Sequence, residues 1–508
     1  MTDAADLVLL DGTVHVLDDA GTTAEGVAIR DGEIVRVDKS DEVRHLVGVE
    51  TEVVDLDGRH VLPGFVDAHT HMLDAGRQLR NADLSACDSP EACLDQLRAG
   101  RDERAEWILG FGYDESRWGG SYLTRDDLDD VSTERPVAAV REDMHVVSLN
   151  SVALERYRTR MPDRDVNTED GRATGVVVED AAGVIYDAID PGPERARTLL
   201  FAAQSRAHEL GVTGVHDMVR RSVVPRVYRD LDLAGELSLR VRMNYWADFL
   251  DAVEETGLAT NHGSDRLEVG AIKTFTDGSI GGATAKLSEP YRESGDTGKW
   301  VVPPRELREL VDRVDEAGLQ LAIHAIGDEA IAETLDALAE TDPSARHRIE
   351  HAEVLDDELI ARLAASDVIV SAQPNFHKWA REDGLYASRL GDERRVRTNQ
   401  LGALADAGAT LAFGSDCMPM DPLFGVQQAV TAPTEEQRLD VTEAVRAYTR
   451  GGAYAGFAED RQGTVDAGMR ADLTVLAESP WEVDPSTIGD VDVAATVVDG
   501  AVVYDALR

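Results

Sequence analysis

Two of the chain's thirteen histidines, His69 and His71, stand one residue apart at the end of the apolar run VLPGFVDAHTHM. In a strand, residues i and i+2 share a face, so two imidazoles at this spacing converge on one point. A metal ion suits such a point, although solvent-facing strands also carry such pairs by chance, and the rest of the chain decides. Further along, polar residues recur at the ends of other apolar runs: Lys273 in GAIKTFTDGS, His324 in LAIHAIGD, His351 in RIEHAEV and Asp416 in AFGSDCMP. Neutral imidazoles with one carboxylate suit zinc or a similar divalent ion that keeps one position open for water. Water on such an ion has its pKa lowered to about 7, which supplies a hydroxide nucleophile at neutral pH. Asp416 beside that water takes its proton and later delivers it to a leaving nitrogen. The chemistry that follows is hydrolysis of a carbon–nitrogen bond.

The elements that must position these groups are β-rich runs alternating with helical stretches. The runs are HVLPGFVDAH, RPVAAVRED, GVTGVHDM, LEVGAIKTF, LQLAIHAIG, RHRIEHAEV, DVIVSAQP and ATLAFGSD, with helices such as PPRELRELVDRVDEAG and AIAETLDALAETD between the later ones. This alternation predicts an α/β fold, a closed (β/α)8 TIM-type barrel, with an open doubly wound sheet as the other reading. Barrel enzymes keep their active sites at the C-terminal ends of the strands. His69 and His71 end the first run, Lys273 falls on the fourth, His324 on the fifth, His351 on the sixth and Asp416 on the eighth. A lone histidine on an apolar strand is more often a hydrogen-bonded core residue; four histidines, a lysine and an aspartate on converging ends are not. Residues 1–58 and 459–508 share a different grammar of short strands with Asp-Gly turns, which predicts one small β-sandwich domain built from both termini. The barrel then occupies 59–458, and residues 74–200, too long for one connection, form an insertion near its mouth.

Composition narrows the setting. With 97 acidic against 51 basic residues, only five of them Lys, the net charge is −46. Such a surface repels nucleic acid and anionic membrane and fits concentrated salt, the cytosol of a halophile. The acids are spread along the chain, unlike an interaction tail. Three cysteines make no disulfide framework, and Cys417 beside Asp416 reads as a packed thiol. No stretch is long and apolar enough to span a bilayer, and the N-terminus is acidic where a secretory signal is basic, so a cytoplasmic location is expected.

Taken in order, PGFVDAHTHM, IKTFTDGSIGGATA, IHAIGD, IEHAEV and FGSDCMP resemble the metal-dependent amidohydrolase superfamily, in particular its branch similar to N-substituted formamide deformylases. The resemblance extends over nearly the whole chain, including GFGYDESRW, DMHVVSLNSVAL and TGVVVEDAA in the insertion. It implies a barrel with a side β-sandwich, one or two divalent metals with zinc the expected ion, and a homodimer. It also implies His69 and His71 as metal ligands, His324 and His351 as ligands of a second metal or catalytic aids, and Asp416 as both ligand and general base. Lys273 matches the lysine that many members carbamylate to bridge two metals. An unmodified ammonium cannot ligate a metal, and Lys273 would then pair with Asp277 or a substrate oxygen.

Secondary candidates for a substrate pocket are His145, Asn150 and Glu179 in the insertion, and His377 with Trp379 after the seventh run; a plain structural role competes in each case. His216 and Asp217, on the third run, are placed to orient Lys273 or a ligand. The leading function is a hydrolase of non-peptide carbon–nitrogen bonds acting on a small amide or N-substituted formamide. A heterocycle deaminase or a lactonase or ester hydrolase uses a similar shell. A catalytically silent binding protein is a third class, disfavoured because every metal-ligand position is filled by a competent residue.

Overall fold

The computed structural model describes residues 4–100, 106–220, 223–292 and 294–507. By their contacts the described residues form two units, one of residues up to His71 and from Gln204 onward, the other Met72–Ala203.

The first unit contains a sheet of eight parallel strands in sequence order: β1 (Phe65–Thr70), β2 (Val212–Val219), β3 (Arg240–Trp246), β4 (Leu267–Phe275), β5 (Leu321–Ala325), β6 (Arg348–His351), β7 (Ile369–Ala372) and β8 (Thr410–Phe413). β1 and β2 are buried at every residue, as expected of parallel strands covered on both faces. Sheet and ring meet where β8 returns to β1. There the Asp416 N–H donates to the His69 carbonyl (2.8 Å) and the Ser415 N–H to Asp67 Oδ1 (2.8 Å). The eight strands are thus a nearly closed barrel. Helices such as Pro304–Glu316 and Asp328–Leu338 follow strands as the sequence predicts; the first buries Leu307, Val311 and Val314, one stripe at helical spacing.

Two of the expected strands are corrected. RPVAAVRED is not a barrel strand: Val137–Arg141 lies in the sheet of the other unit. Its place is taken by β3, RVRMNYW, whose alternating Arg240, Arg242 and Asn244 resemble a solvated face. All three are buried because each has a partner: Arg240 pairs with Asp472 (2.5 Å), Arg242 with Glu268 (2.6 Å), and Asn244 Oδ1 accepts from the Ala271 N–H (2.7 Å). His216 and Asp217 consequently sit on the second barrel strand. The run HVLPGFVDAH also divides at Gly64, where a side chain would collide with Thr213. His60–Pro63 pairs antiparallel with Leu473–Leu476 outside the barrel, and only Phe65–Thr70 enters it.

Strands from both termini form two further sheets in this unit. One is ordered Glu33–Asp38, Gly26–Arg30, Leu7–Leu10, Glu52–Asp55; the other Ala501–Asp505, Val493–Val498, Leu473–Leu476, His60–Pro63, Thr13–His15, Thr23–Ala24. Leu7, Leu9, Val27 and Ile29 of the first share a core with Val14, Val61, Val475 and Val497 of the second.

The second unit is a mixed sheet ordered Val166–Glu169, Arg172–Val178, Val146–Leu149, Val137–Arg141, Ile108–Tyr113, Ala82–Asp83, with helices including Pro90–Ala99, Ser151–Tyr157 and Glu179–Ala188. In the chain it stands between β1 and β2.

Candidate active site

His69 is the penultimate residue of β1 and His71 follows its end, so strand alternation brings both rings to one side of the barrel's C-terminal rim. Asp416 arrives from the turn after β8, in which Asp416 and Cys417 both hold left-handed backbone (φ 51° and 61°). Gly414 permits the approach, because a Cβ there would collide with the His69 backbone. Asp416 Oδ1 then lies 3.1 Å from His71 Nε2 and 3.7 Å from His69 Nε2. The donor atoms of His69, His71 and Asp416 all fall within 4.8 Å of one another.

The turn is braced from below. Asp67 accepts from the Ser415 hydroxyl (2.5 Å) and N–H (2.8 Å) and from the His69 N–H (3.3 Å); burial pushes its carboxyl up to about 7 against these bonds. Cys417 Sγ accepts from the His71 N–H (3.2 Å) and contacts Thr70 Oγ1 (3.1 Å). Burial pushes that thiol well up, so it is a packing and turn-bracing group, not a nucleophile.

The other predicted residues stand around this centre. His351 ends β6 with φ 74°, and its ring centroid is 4.9 Å from that of His69 and 4.5 Å from that of His324. Its Nδ1 is buried without a hydrogen-bond partner. His324 Nε2 donates to the Gly278 carbonyl (3.0 Å). Burial holds His69 and His351 well below the ordinary histidine value, so both rings are neutral. Lys273 on β4 is 1% exposed, and its Nζ has no hydrogen-bond partner. Burial lowers its ammonium to about 8, opposed by Glu350 and Asp416. It does not pair with Asp277, whose carboxylate accepts from the N–H groups of Ile326 (3.0 Å), Gly327 (2.8 Å) and Lys286 (2.8 Å) and clamps the loop after β4.

The weaker candidates divide. His216 orients neither Lys273 nor a metal ligand directly; its Nδ1 accepts from Arg348 Nη1 (2.8 Å) inside the barrel. Asp217 accepts from the Tyr228 hydroxyl (2.8 Å). His377 lies in the turn Pro374–Trp379 with both ring nitrogens buried and unpartnered, and burial lowers it to about 4. The ring stacked on His351 is Phe376 (6.0 Å, 7°). In the second unit, His145 Nδ1 is 3.5 Å from Glu179 Oε2. Asn150 is corrected: its Oδ1 accepts from Val137 and Ala153 N–H groups (3.0 and 2.9 Å), and its Nδ2 donates to the Ser132 and Arg135 carbonyls (2.7 and 2.8 Å). That amide caps the helix Ser151–Tyr157 and has no capacity left for a substrate.

Sequence reasoning missed Glu350, Arg348 and Asp67. Glu350 Oε2 lies 2.6 Å from His69 Nδ1, and Arg348 reaches Glu350 through Nε (2.6 Å) and Nη2 (3.0 Å). Two opposite charges at alternate positions of an apolar strand, beside His351, were the available signal.

The donor set fits a divalent metal. Two imidazoles and a carboxylate converge, and Asp416 Oδ1 is buried among them without hydrogen-bond geometry to either ring. The comparisons agree. The sequence profile of the amidohydrolase family matches residues 52–504. The Bacillus subtilis protein named as the amidohydrolase YtcJ is 31% identical over 525 residues, covering 97% of this chain and 98% of that one. The N-substituted formamide deformylase of Arthrobacter pascens is 26% identical over 549 residues, covering 99% of both. An uncharacterized metal-dependent hydrolase from Pyrococcus horikoshii superposes with a TM-score of 0.81 at 29% identity, over 94% of this chain and 99% of that one. With the converging histidines and aspartate on a nearly closed barrel, these likenesses place the chain: it belongs to the amidohydrolase family.

Proposed function

We propose that this chain is a metal-dependent hydrolase of carbon–nitrogen bonds outside peptides, acting on a small amide or N-substituted formamide. The convergence of His69, His71 and Asp416 carries the reading, and the formamide deformylase among the relatives supports the bond type. A divalent ion bound there, zinc by its ligand chemistry, supplies Lewis-acid polarisation and a lowered pKa for water. His69, His71 and Asp416 would hold it. Asp416 would also take the proton of the attacking water and pass it to the departing amine nitrogen. For a formamide the products are formate and an amine. His324 and His351, whose ring centroids lie 4.5 Å apart, line the same rim as hydrogen-bonding groups or ligands of a second ion. Lys273, whose unpartnered Nζ is lowered to about 8, is the residue for carbamylation by carbon dioxide, which would convert it to a bridging carboxylate.

The test is a panel of formamides, amides, heterocyclic amines and lactones, with formate, amine and ammonia detection, on metal-reconstituted protein. Formamide or amide turnover that Asp416→Asn abolishes supports the reading; turnover of lactones or heterocyclic amines alone, or turnover unchanged in Asp416→Asn, refutes it. Metal stoichiometry that rises from one to two per chain with bicarbonate supports the carbamate.

The setting is part of the same proposal. Net charge of −46 supports a halophilic protein working in cytoplasmic salt. The shared core of the two terminal sheets supports one sandwich-like domain of 1–58 with 459–508, the barrel spanning 59–458 with the insertion at 74–200. A homodimer is proposed, for which light scattering in concentrated KCl is the check.

A further inference from the structure

We infer that Glu350 is the positioning residue of the metal centre: held by Arg348, which His216 in turn braces, it fixes which nitrogen of His69 carries the proton. The inference rests on the reading of His69 as a metal ligand. Arg348 and Glu350 alternate on β6, so both side chains enter the barrel interior, where both are 0% exposed. Glu350 Oε1 accepts from Arg348 Nε (2.6 Å). Oε2 accepts from Arg348 Nη2 (3.0 Å) and also faces His69 Nδ1 (2.6 Å). The guanidinium keeps this carboxylate ionised, and an ionised carboxylate has no proton to give. The proton of the third contact therefore sits on His69 Nδ1. A neutral imidazole has only one, so Nε2 presents its lone pair, and Nε2 is the nitrogen that faces Asp416.

Arg348 is itself immobilised. Its Nη2 donates to the Ala68 carbonyl (2.6 Å) and to Ser371 Oγ (2.8 Å), and its Nη1 to His216 Nδ1 (2.8 Å). A guanidinium only donates, so His216 is locked as an acceptor on Nδ1. An Arg–Glu pair serving the fold alone needs no third member. Here the shared oxygen reaches the first strand and holds the ring that the centre uses. A carboxylate on the far nitrogen also raises the basicity of the near one, which strengthens it as a ligand.

The experiment titrates full-length, metal-free protein with zinc against a chromophoric chelator. Folded Glu350→Gln is expected to bind zinc roughly 10–100-fold more weakly than wild type. Nitrogen-15 histidine NMR of the metal-free wild type, with His69 assigned by the signal lost in His69→Gln, is expected to show His69 protonated on Nδ1. That measurement stands even if Glu350→Gln does not fold. Unchanged zinc affinity in the folded variant, or His69 protonated on Nε2 in the wild type, overturns the inference. Wild-type protein that binds no zinc overturns the metal-centre reading itself, a different result.

Discussion

Replacing Arg348 by Met tests how the barrel tolerates its buried charges. The substitution keeps the length of the side chain and removes the guanidinium. It leaves the Glu350 carboxylate with the His69 N–H but without its charged partner, and the Ala68 carbonyl, Ser371 Oγ and His216 Nδ1 without the guanidinium donor. Breaking a buried ion pair by removing one member costs about 3–5 kcal/mol, because the remaining charge is uncompensated. Each of the three neutral acceptors left behind adds about 1 kcal/mol, the low end for an unsatisfied buried group. A loss of about 6–8 kcal/mol is therefore expected, a large share of the roughly 5–15 kcal/mol that stabilises a domain. Spread over an unfolding transition of several hundred residues, this lowers Tm by about 6–10 °C. The double variant Arg348→Met with Glu350→Met removes both charges and is expected to regain at least half of that loss. The assay is calorimetry on metal-free protein at fixed KCl, since a bound ion would add its own stabilisation. A Tm for Arg348→Met within one degree of wild type, or a double variant that is worse by the sum of the singles, would refute the reasoning.

Other expectations follow from single features. His208 is buried between the Val212 carbonyl (3.2 Å) and Ser238 Oγ (2.9 Å), and burial lowers it from 6.5 to about 4. Folding then favours the neutral ring, so its contribution is present above pH 6.5 and is lost as the pH falls through about 4, up to about 3 kcal/mol. His208→Gln should flatten that acid limb in urea titrations at stepped pH, and an unchanged limb would exclude His208 as its source. Gly414→Ala places a Cβ against the His69 backbone, and turnover should drop about 100-fold through misplacement of the centre; wild-type turnover would show that β1 and β8 can yield. Raising KCl from about 0.15 M to about 3 M should raise Tm by about 10 °C or more as repulsion among the surface carboxylates is screened. A flat salt response would contradict the reading of the acidic surface.

Much of the barrel was legible because its signals are local. HVLPGFVDAHTHM shows two histidines on one strand face, and PPRELRELVDRVDEAG shows a helical stripe, without knowledge of any distant residue. Where local signals misled, a partner elsewhere in the chain had changed the meaning of a residue. RVRMNYW reads as amphipathic, yet Arg240 and Arg242 are buried because Asp472 and Glu268 meet them. Val137–Arg141 is as apolar as any barrel strand, but its sheet is in the other unit. HVLPGFVDAH reads as continuous, and only the approach of Thr213 to Gly64 explains its division.

The same boundary runs through the site. Residue types and spacing by themselves pointed to His69, His71 and Asp416 as a candidate ligand set, since the chemistry of two imidazoles and a carboxylate belongs to those side chains wherever they meet. The tertiary structure alone decided that Asp416 meets the pair, that Asn150 is consumed by a helix cap, and that His216 serves Arg348. It also decided that Glu350 holds His69 from 281 positions away in the chain. A strand's period of two fixes which face a side chain takes, but a buried charge is settled by its partner, and the fold chooses the partner.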